Sequence, residues 1–345
     1  MKKVTIYTLS KELGVSPATI SKALNNSPEL NEKTAAKIRK TAESYGFKPR
    51  PLVTRTTNIC ALIQTPNASA SCFSPFTVDA MQGMMDYLQE NDLEFSLYSE
   101  DIFKLNGGLL LRQLGRRNIT GAVLINTDED SNFYEELDKN RFPYCSLLTN
   151  PGKTEKNLLT INNEDAAERA VEYLIQLGHR NIAVIVTPAH GVTGRERLTG
   201  YKNALKKAGI PLNPALITKA DSTQEPLEFG HRATQELFRS NPQTTALFVM
   251  GERIAIGAMH ALNQLGKSVP NDVSLISCDD APEASYLNPP LTVMRIPNRK
   301  LGYAAARWVH QMITDSNSHE QIHEPWMRGE LIVRESTASV SHCVK

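Results

Sequence analysis

From Ile59 onward, short apolar runs alternate with amphipathic stretches such as residues 166–177 and 195–208. A continuous apolar run suits a strand that is buried on both faces, and an amphipathic stretch suits the helix that crosses back over the sheet. This alternation is typical of parallel α/β folds. The predicted strands are residues 59–63, 95–98, 122–125, 144–148, 182–186, 246–250 and 273–277. The sequence therefore predicts an α/β body over residues 59–340.

Residues 5–46 have the pattern of three short helices instead. Ile6, Leu9 and Leu13 recur at helical spacing, and Gly14 provides a stop signal. Ser16 can cap a second helix, because its side-chain oxygen can accept from a free backbone amide and a proline follows at the first helical position. Its inward residues are Ile20, Ala23 and Leu24.

A third helix is predicted to begin after Asn31 and to end at Gly46. Its apolar face comprises Ala35, Ile38, Ala42 and Tyr45. Two helices joined by a short turn that contains glycine predict a helix-turn-helix, whose second helix enters the DNA major groove. We therefore expect residues 1–47 to form a small all-α helix-turn-helix DNA-binding domain.

The charge distribution also favours nucleic-acid binding by the N-terminal segment. Residues 1–50 hold 10 Lys and Arg against 4 Asp and Glu, whereas the remainder holds 28 against 33. A basic segment on a mildly acidic body suits contact with a polyanion at one end. The alternative is a solvated basic face on a small helical domain.

The segments 4–9 and 13–25 resemble the DNA-binding head of the LacI/GalR (lactose-repressor-like) family of bacterial transcription regulators. The resemblance implies that Pro17, Ala18 and Lys22 contact base edges, with Lys22 donating to guanine and the Ala18 methyl touching thymine. The family often has arginine at the position of Lys22. The positions implied to contact phosphates are Thr5, Tyr7, Ser16, Thr19, Ser21, Asn25, Asn31 and Thr34.

Residues 48–58 join the two parts and depart from the family pattern. The family usually has a hinge helix here, which inserts a leucine into the minor groove of operator DNA. This segment is shorter, contains two prolines and is rich in poor helix formers. Leu52 is the candidate for the inserted leucine, and a plain linker is the alternative.

The body also resembles the family, in segments 177–183, 195–201, 256–259, 272–280 and 289–292. The resemblance implies a periplasmic-binding-protein-like domain of two Rossmann-like lobes with a ligand between them. It implies crossovers near Asn162, Leu291 and Ile322. The expected N-lobe is residues 59–161 plus 292–322, and the expected C-lobe is residues 162–291 plus 323–340.

By this resemblance Arg197 and Asp279 contact the effector, as a donor and an acceptor for a polyol or a ring oxygen. Asn162, Thr193, Gly251 and Glu252 occupy neighbouring positions of the cleft. The alternative for Arg197 and Asp279 is a structural ion pair.

Several cleft positions depart from those of sugar-responsive members. Leu148 replaces an acidic residue, Gly251 and Glu252 replace an Asn-Asp pair, and only Phe229 could stack on a sugar ring. Together with Arg253, these changes suggest an acidic or phosphorylated sugar. They also fit a regulator that has abandoned small-molecule control.

The motif search predicts no catalytic residues, no metal site and no cofactor. The five cysteines are scattered and the eight histidines have no ligand spacing. The start lacks an apolar run of signal-peptide length, so we expect a cytoplasmic, nucleoid-associated protein. The predicted function is a homodimeric, non-enzymatic repressor that binds double-stranded operator DNA under the control of a sugar or sugar derivative. The alternatives are control by a protein partner, or a solute-binding protein.

Overall fold

A computed structural model describes residues 5–24, 30–45, 47, 57–63, 75–98, 107–125, 127, 133–147, 157–186, 192–219, 225–315 and 326–340. The chain divides into two compact units, Met1–Thr56 and Thr57–Lys345, which we call the head and the body. Within the described ranges, every helix is too short or too polar to cross a membrane.

The head contains three helices, α1 (Ile6–Leu13), α2 (Pro17–Leu24) and α3 (Glu32–Ser44). α1 ends at Gly14, which has φ +67° and donates its amide to the carbonyl of Ser10 at 3.0 Å. A left-handed residue at this point is favoured as glycine, because it has no Cβ to collide with the backbone. The predicted end of α1 and the predicted starts of α2 and α3 are confirmed.

Six apolar side chains, each at most 3% exposed, form the core of the head. They are Leu9, Ile20, Ala23, Ala35, Ile38 and Ala42. The expectation that Tyr45 belongs to this face is wrong, since its side chain is 41% exposed. α3 ends at Ser44, so Tyr45 leaves the helical register, and Phe47 packs against the core instead.

The body alternates strands and helices throughout its described ranges. Its strands are β1 (Asn58–Ile63), β2 (Glu94–Tyr98), β3 (Gly121–Ile125), β4 (Tyr144–Leu147), β5 (Leu158–Ile161), β6 (Ile182–Val186), β7 (Ile217–Lys219), β8 (Ala246–Val249), β9 (Ser274–Cys278), β10 (Thr292–Arg295), β11 (Trp326–Met327) and β12 (Glu330–Ile332). Its helices are α4 (Pro75–Glu90), α5 (Gly107–Arg116), α6 (Phe133–Lys139), α7 (Asn163–Gln176), α8 (Val192–Lys207), α9 (Pro226–Ser240), α10 (Glu252–Gln264) and α11 (Asn298–Thr314).

The strands form two six-stranded sheets. The first has the order β11-β5-β4-β3-β1-β2 and all its pairs are parallel. The second has the order β12-β10-β9-β8-β6-β7, and only β12 runs antiparallel to its neighbour. We call the parts built on these sheets the N-lobe and the C-lobe. Two lobes of this kind agree with the predicted α/β body.

The chain crosses between the lobes three times. The first crossover follows β5 at Asn162, as predicted. The crossover predicted near Leu291 instead follows Arg295, because β10 pairs with β9 before the chain reaches α11. The crossover predicted near Ile322 follows Met327, because β11 pairs with β5 of the N-lobe. The second and third crossovers thus lie four and five residues beyond the positions near Leu291 and Ile322 that the resemblance implies.

Seven strands lie where the apolar runs predict them. The runs missed five others, namely β5, β7, β10, β11 and β12. β7, β11 and β12 have only two or three residues, which is too short to produce a distinct apolar run. β5 and β10 have four residues each, and polar residues interrupt or shorten their apolar runs.

α4 and α11 cross closely in the N-lobe because two glycines lie at their contact. A Cβ added at Gly302 would lie 1.8 Å from the carbonyl oxygen of Ala80. A Cβ added at Gly83 would lie 1.8 Å from that of Arg299. The two glycines thus permit the close approach of α4 and α11, which cover one face of the first sheet.

Candidate functional site

Three predicted phosphate contacts in the head are helix N-caps. Thr5 Oγ1 accepts from the Thr8 amide at 3.3 Å, and Ser16 Oγ accepts from the Thr19 amide at 3.1 Å. Asn31 Oδ1 accepts from the Lys33 amide at 2.9 Å. The first turn of a helix presents free amides and a partial positive charge, which suits phosphate. Capping is also the local reason why these residue types occur at these positions.

The remaining described DNA-contact candidates lie on the surface of the head. Tyr7 is 70% exposed, and Ala18, Lys22 and Thr34 are exposed as well. Pro17, Thr19 and Ser21 are half-buried. Asn25 and Leu52 lie outside the described residues.

One basic residue of the head has a structural role. Arg39 of α3 donates its Nε to the carbonyl oxygen of Ala23 at 3.1 Å. That carbonyl belongs to the last turn of α2, where intrahelical partners are missing and a cation is favourable. Arg39 therefore stabilises α2, the helix that carries Ala18 and Lys22.

The candidate effector residues of the C-lobe converge because β6, β8 and β9 are adjacent and parallel. Arg197 lies on α8, which follows β6, and Glu252 begins α10, which follows β8. Asp279 comes directly after β9. The carboxyl ends of parallel strands share one edge, so these three side chains lie at the same edge of the sheet, where α/β proteins bind ligands.

Arg197 is 6% exposed and is held by a second residue. Its Nε donates to Asn163 Oδ1 at 3.1 Å, and its Nη1 lies 4.0 Å from Asp279 Oδ2. Asn163 in turn donates from Nδ2 to Glu196 Oε2 at 3.0 Å. The arginine is thus pre-oriented between an amide and a carboxylate of its own lobe.

Asn163 is a residue that the sequence interpretation missed. The predicted cleft residue was its neighbour Asn162, which is exposed and caps α7 by accepting from the Asp165 amide at 2.9 Å. The signal available was two consecutive asparagines at a helix start, of which only one can be the cap.

Asp279 is half-buried and has an uncommon backbone conformation. Its φ is +72°, and its amide donates to the carbonyl of Met294 at 3.0 Å. Burial raises the pKa of its carboxyl group, and Arg197 opposes that rise. Strained residues and raised carboxyl pKa values are both typical of functional sites.

Glu252 is 5% exposed, and neither of its carboxylate oxygens has a hydrogen-bond partner among the described residues. Burial and the charges of Glu283, Asp279 and Asp280 raise its pKa to about 7. The backbone amide of Ala281 offsets only a small part of this rise in pKa. The amide does not meet the geometric criteria for a hydrogen bond to either oxygen of Glu252.

The N-lobe contributes a carboxylate to the same region. Asp79 lies on α4, and its pKa is raised by burial and by Asp279, while Arg299 lowers it. The charge of Asp279 in the C-lobe therefore acts on Asp79 in the N-lobe. Thr193 is half-buried in the first turn of α8, and Gly251 precedes α10 without capping it by a side chain.

Two interpretations of the cleft are corrected by the structure. Arg253, the suggested partner of an acidic sugar, pairs on the surface with Glu225, with Nη2 2.7 Å from Oε1. Phe229, the suggested stacking residue, is buried in the C-lobe core and cannot stack on a ligand.

Leu148 lies outside the described residues. Among those residues, no group of three or more His, Cys, Asp or Glu is arranged to hold a metal ion.

Comparison with known proteins gives consistent matches along the chain. A family described as a periplasmic binding protein-like domain matches residues 171–337. The HTH-type transcriptional regulator CelR of Thermobifida fusca is 28% identical over 97% of this chain and 98% of its own length. The probable HTH-type transcriptional repressor ExuR of Bacillus subtilis (strain 168) is 29% identical, with 96% and 98% covered.

Solved structures match over the same extent. A complex of the regulator CelR with cellobiose has a TM-score of 0.72 at 26% identity, covering 97% of this chain and 100% of that one. The Lac repressor dimer bound to operator and the anti-inducer ONPF has a TM-score of 0.76 at 20% identity, covering 98% and 100%. The second likeness is one of fold. The named relatives are transcriptional regulators rather than enzymes.

Proposed function

The chain belongs to the LacI/GalR family of transcription regulators, and we propose that it is a repressor whose operator affinity is set by a small molecule in the cleft of the body. The observation that carries this proposal is the match to CelR, which includes both the head and the body and covers 97% of the chain. The basic charge of the head and the cleft geometry are consistent with it.

In the proposed complex the head acts as a helix-turn-helix, and α2 enters the major groove by its N-terminal end. Lys22 donates to a guanine and the Ala18 methyl contacts a thymine. The caps Thr5, Ser16 and Asn31 bring the first turns of three helices to phosphates, which orient the head without selecting a sequence. Leu52 stays the candidate for a minor-groove contact within the linker.

The effector is proposed to be a sugar or a sugar derivative, because the regulator CelR was solved as a complex with cellobiose. Arg197 and Asp279 provide a donor and an acceptor only 4.0 Å apart, a spacing that suits neighbouring oxygens of a sugar. The effector would change the relation between the lobes, and operator DNA would change effector affinity by the same factor.

Two chains are proposed to act together, since two heads on a two-fold axis read a near-palindromic operator. The Lac repressor of similar fold was solved as a dimer on its operator. The proposed location is the cytoplasm, where operator DNA is accessible.

The proposal is tested by fluorescence anisotropy with duplexes from the promoter of the chain's own operon, titrated at graded salt. We expect a preference of about a thousandfold or more over random duplex, with affinity falling as salt rises. Lys22→Ala should weaken specific binding about tenfold or more. Lys219→Ala removes the same charge from an exposed position of the body and should leave binding unchanged. Equal affinity for promoter and random duplexes would overturn the proposed function.

A further inference from the structure

The carboxylate of Glu252 is buried and has no hydrogen-bond partner among the described residues. It lies at the junction of β8 and α10 with 5% exposure, and neither oxygen is hydrogen-bonded within the described part of the chain. A buried carboxylate costs several kcal/mol when unpaired, and proteins rarely retain one without a use.

Two described arginines that could serve as partners of Glu252, its sequence neighbour Arg253 and the cleft residue Arg197, are already engaged. Arg253 pairs with Glu225 of α9 at 2.7 Å, and Arg197 is bound to Asn163 and faces Asp279. Asp280 is neutralised separately by Arg295 at 2.7 Å and Arg334 at 2.8 Å.

The groups that face Glu252 are therefore mainly acidic. From the C-lobe they are Asp279 and Asp280 after β9 and Glu283 on the following turn. From the N-lobe, Asp79 is close enough to Asp279 for the two charges to interact. Among the described residues, the charges that act on Glu252 are thus mainly negative, which favours a cationic ligand over an acidic or phosphorylated sugar.

We propose that the effector carries a protonated amine, as an amino sugar does, and that Glu252 and Asp279 bind this ammonium group. This inference rests on the proposed function, since it names the chemical class of the cleft ligand. An ammonium group has three donors, which the two orphaned oxygens of Glu252 and one oxygen of Asp279 match. Arg197 is left to bind hydroxyl or ring oxygens of the sugar.

An organic cation fits the cleft better than a metal ion does. No metal-binding group of three or more ligands is found among the residues that the structure describes. The ammonium group would convert Glu252 from an unpaired charge to a paired one, which stabilises the ligand-bound state.

This arrangement gives binding a defined pH dependence. The pKa of Glu252 is about 7 in the empty cleft, and a bound cation favours the ionised form. Binding should therefore release a proton, and affinity for an amine should rise about fivefold between about pH 6 and about pH 7 as the ionised fraction of Glu252 increases. Glu225 and Arg253 neutralise each other and should not contribute.

The test uses the full-length protein and matched sugar triplets, glucose with glucosamine and N-acetylglucosamine, and galactose with its two counterparts. Thermal shift and isothermal titration calorimetry should show that an amine binds at least about tenfold more tightly than its parent and its N-acetyl form. Calorimetry in two buffers of different ionisation enthalpy should show proton release on binding of the amine.

Two variants isolate Glu252. Glu252→Gln keeps the shape of the side chain and should abolish the amine preference and the proton release, while the unliganded Tm stays equal or rises. Glu283→Gln removes an exposed carboxylate nearby and should keep the preference. Proton release in the unsubstituted protein tests the same point if Glu252→Gln fails to fold.

Equal or tighter binding of the neutral or N-acetyl sugars, a preference that survives Glu252→Gln, or a response to calcium alone would each overturn the inference. So would the absence of binding by every amine of the panel. The operator assay separates the two proposals. If a neutral sugar releases the protein from operator DNA, only the inference about the amine fails. If promoter DNA is not preferred, the proposed function itself fails.

Discussion

Arg197→Met should destabilise the body by about 3 kcal/mol at neutral pH, near the lower end for removing one partner of a buried charge pair. At the 4.0 Å separation of Nη1 and Asp279 Oδ2, two charges interact by about 4 kcal/mol at an effective dielectric constant of 20. The Asp279 side chain is 23% exposed, which reduces this energy through solvent screening. The variant also loses the 3.1 Å hydrogen bond to Asn163 Oδ1, which then lacks its donor.

The penalty should shrink as the pH falls. Burial already raises the pKa of Asp279 in the folded protein, and Arg197 restrains that rise, so the variant should raise this pKa further. A carboxyl group whose pKa is higher in the folded state destabilises that state when it is ionised, and this effect disappears as pH falls through the folded pKa. The loss at about pH 7.5 should therefore exceed the loss at about pH 5.

Urea unfolding followed by tryptophan fluorescence measures this directly, because Trp308 and Trp326 both lie in the body. In an Asp279→Asn background the same substitution should cost only about 1 kcal/mol, the value of the remaining hydrogen bond. Arg180→Met is the control, since Arg180 is exposed and donates to the Ala208 carbonyl at 3.2 Å. Equal losses at both pH values, or no coupling to Asp279, would refute the reasoning.

Three further predictions concern other parts of the chain. Gly302→Ala should lower the free energy of unfolding in urea by about 3 kcal/mol, because its Cβ would lie 1.8 Å from a carbonyl oxygen of α4. The control Gly115→Ala adds a Cβ that meets nothing within 4 Å and should stabilise the protein by about 0.5–1 kcal/mol. Similar effects of the two substitutions would contradict the close approach of α4 and α11. Burial lowers the pKa of His179, although the Ala338 carbonyl opposes this shift. The free energy of unfolding should therefore fall as pH drops below about 6.5, and His179→Gln should reduce this pH dependence. An unchanged pH dependence in the variant would mean that other groups cause it. Ser16→Ala should weaken α2 by about 1 kcal/mol, measured as faster amide exchange at Thr19, and unchanged exchange would mean that the 3.1 Å cap is dispensable.

The head was the part most open to sequence interpretation. Its helix starts depend on Ser16 and Asn31, which accept from amides two or three residues ahead, and its helix stop depends on Gly14. These are local interactions, so the local sequence is sufficient to predict them. Tyr45 was misplaced because helical periodicity was extended one residue beyond the end of α3.

The body was predictable at the level of its long elements only. Seven apolar runs identified seven strands, because a strand covered by helices on both faces is continuously apolar. Six of the seven strands are buried, and β2 at the edge of the first sheet is only partly buried. β10 and β11 were not identified, and the predicted lobe crossovers moved with them. The lobe to which such a short strand belongs is decided by its hydrogen-bond partner in another part of the chain.

In the cleft, the sequence indicated some of the site residues but not the residues that contact them from distant parts of the chain. The resemblance to the family pointed to Arg197 and Asp279, and the structure places them 4.0 Å apart. It did not indicate Asn163, which holds Arg197, or Asp79, on which the charge of Asp279 acts from the other lobe. Arg253 suggested an acidic ligand until its pairing with Glu225 was apparent.

The sequence by itself determined the helix starts of the head, the α/β class of the body and the strands β6, β8 and β9, which Arg197, Glu252 and Asp279 follow in the chain. These follow from side-chain periodicity and from interactions within a few residues. Only the tertiary structure decided that Glu252 has no hydrogen-bond partner among the described residues and that Glu283, Asp279 and Asp280 act on it. The physical reason is that burial and charge pairing depend on residues distant in sequence, so a single carboxylate has no defined environment until the two lobes are folded.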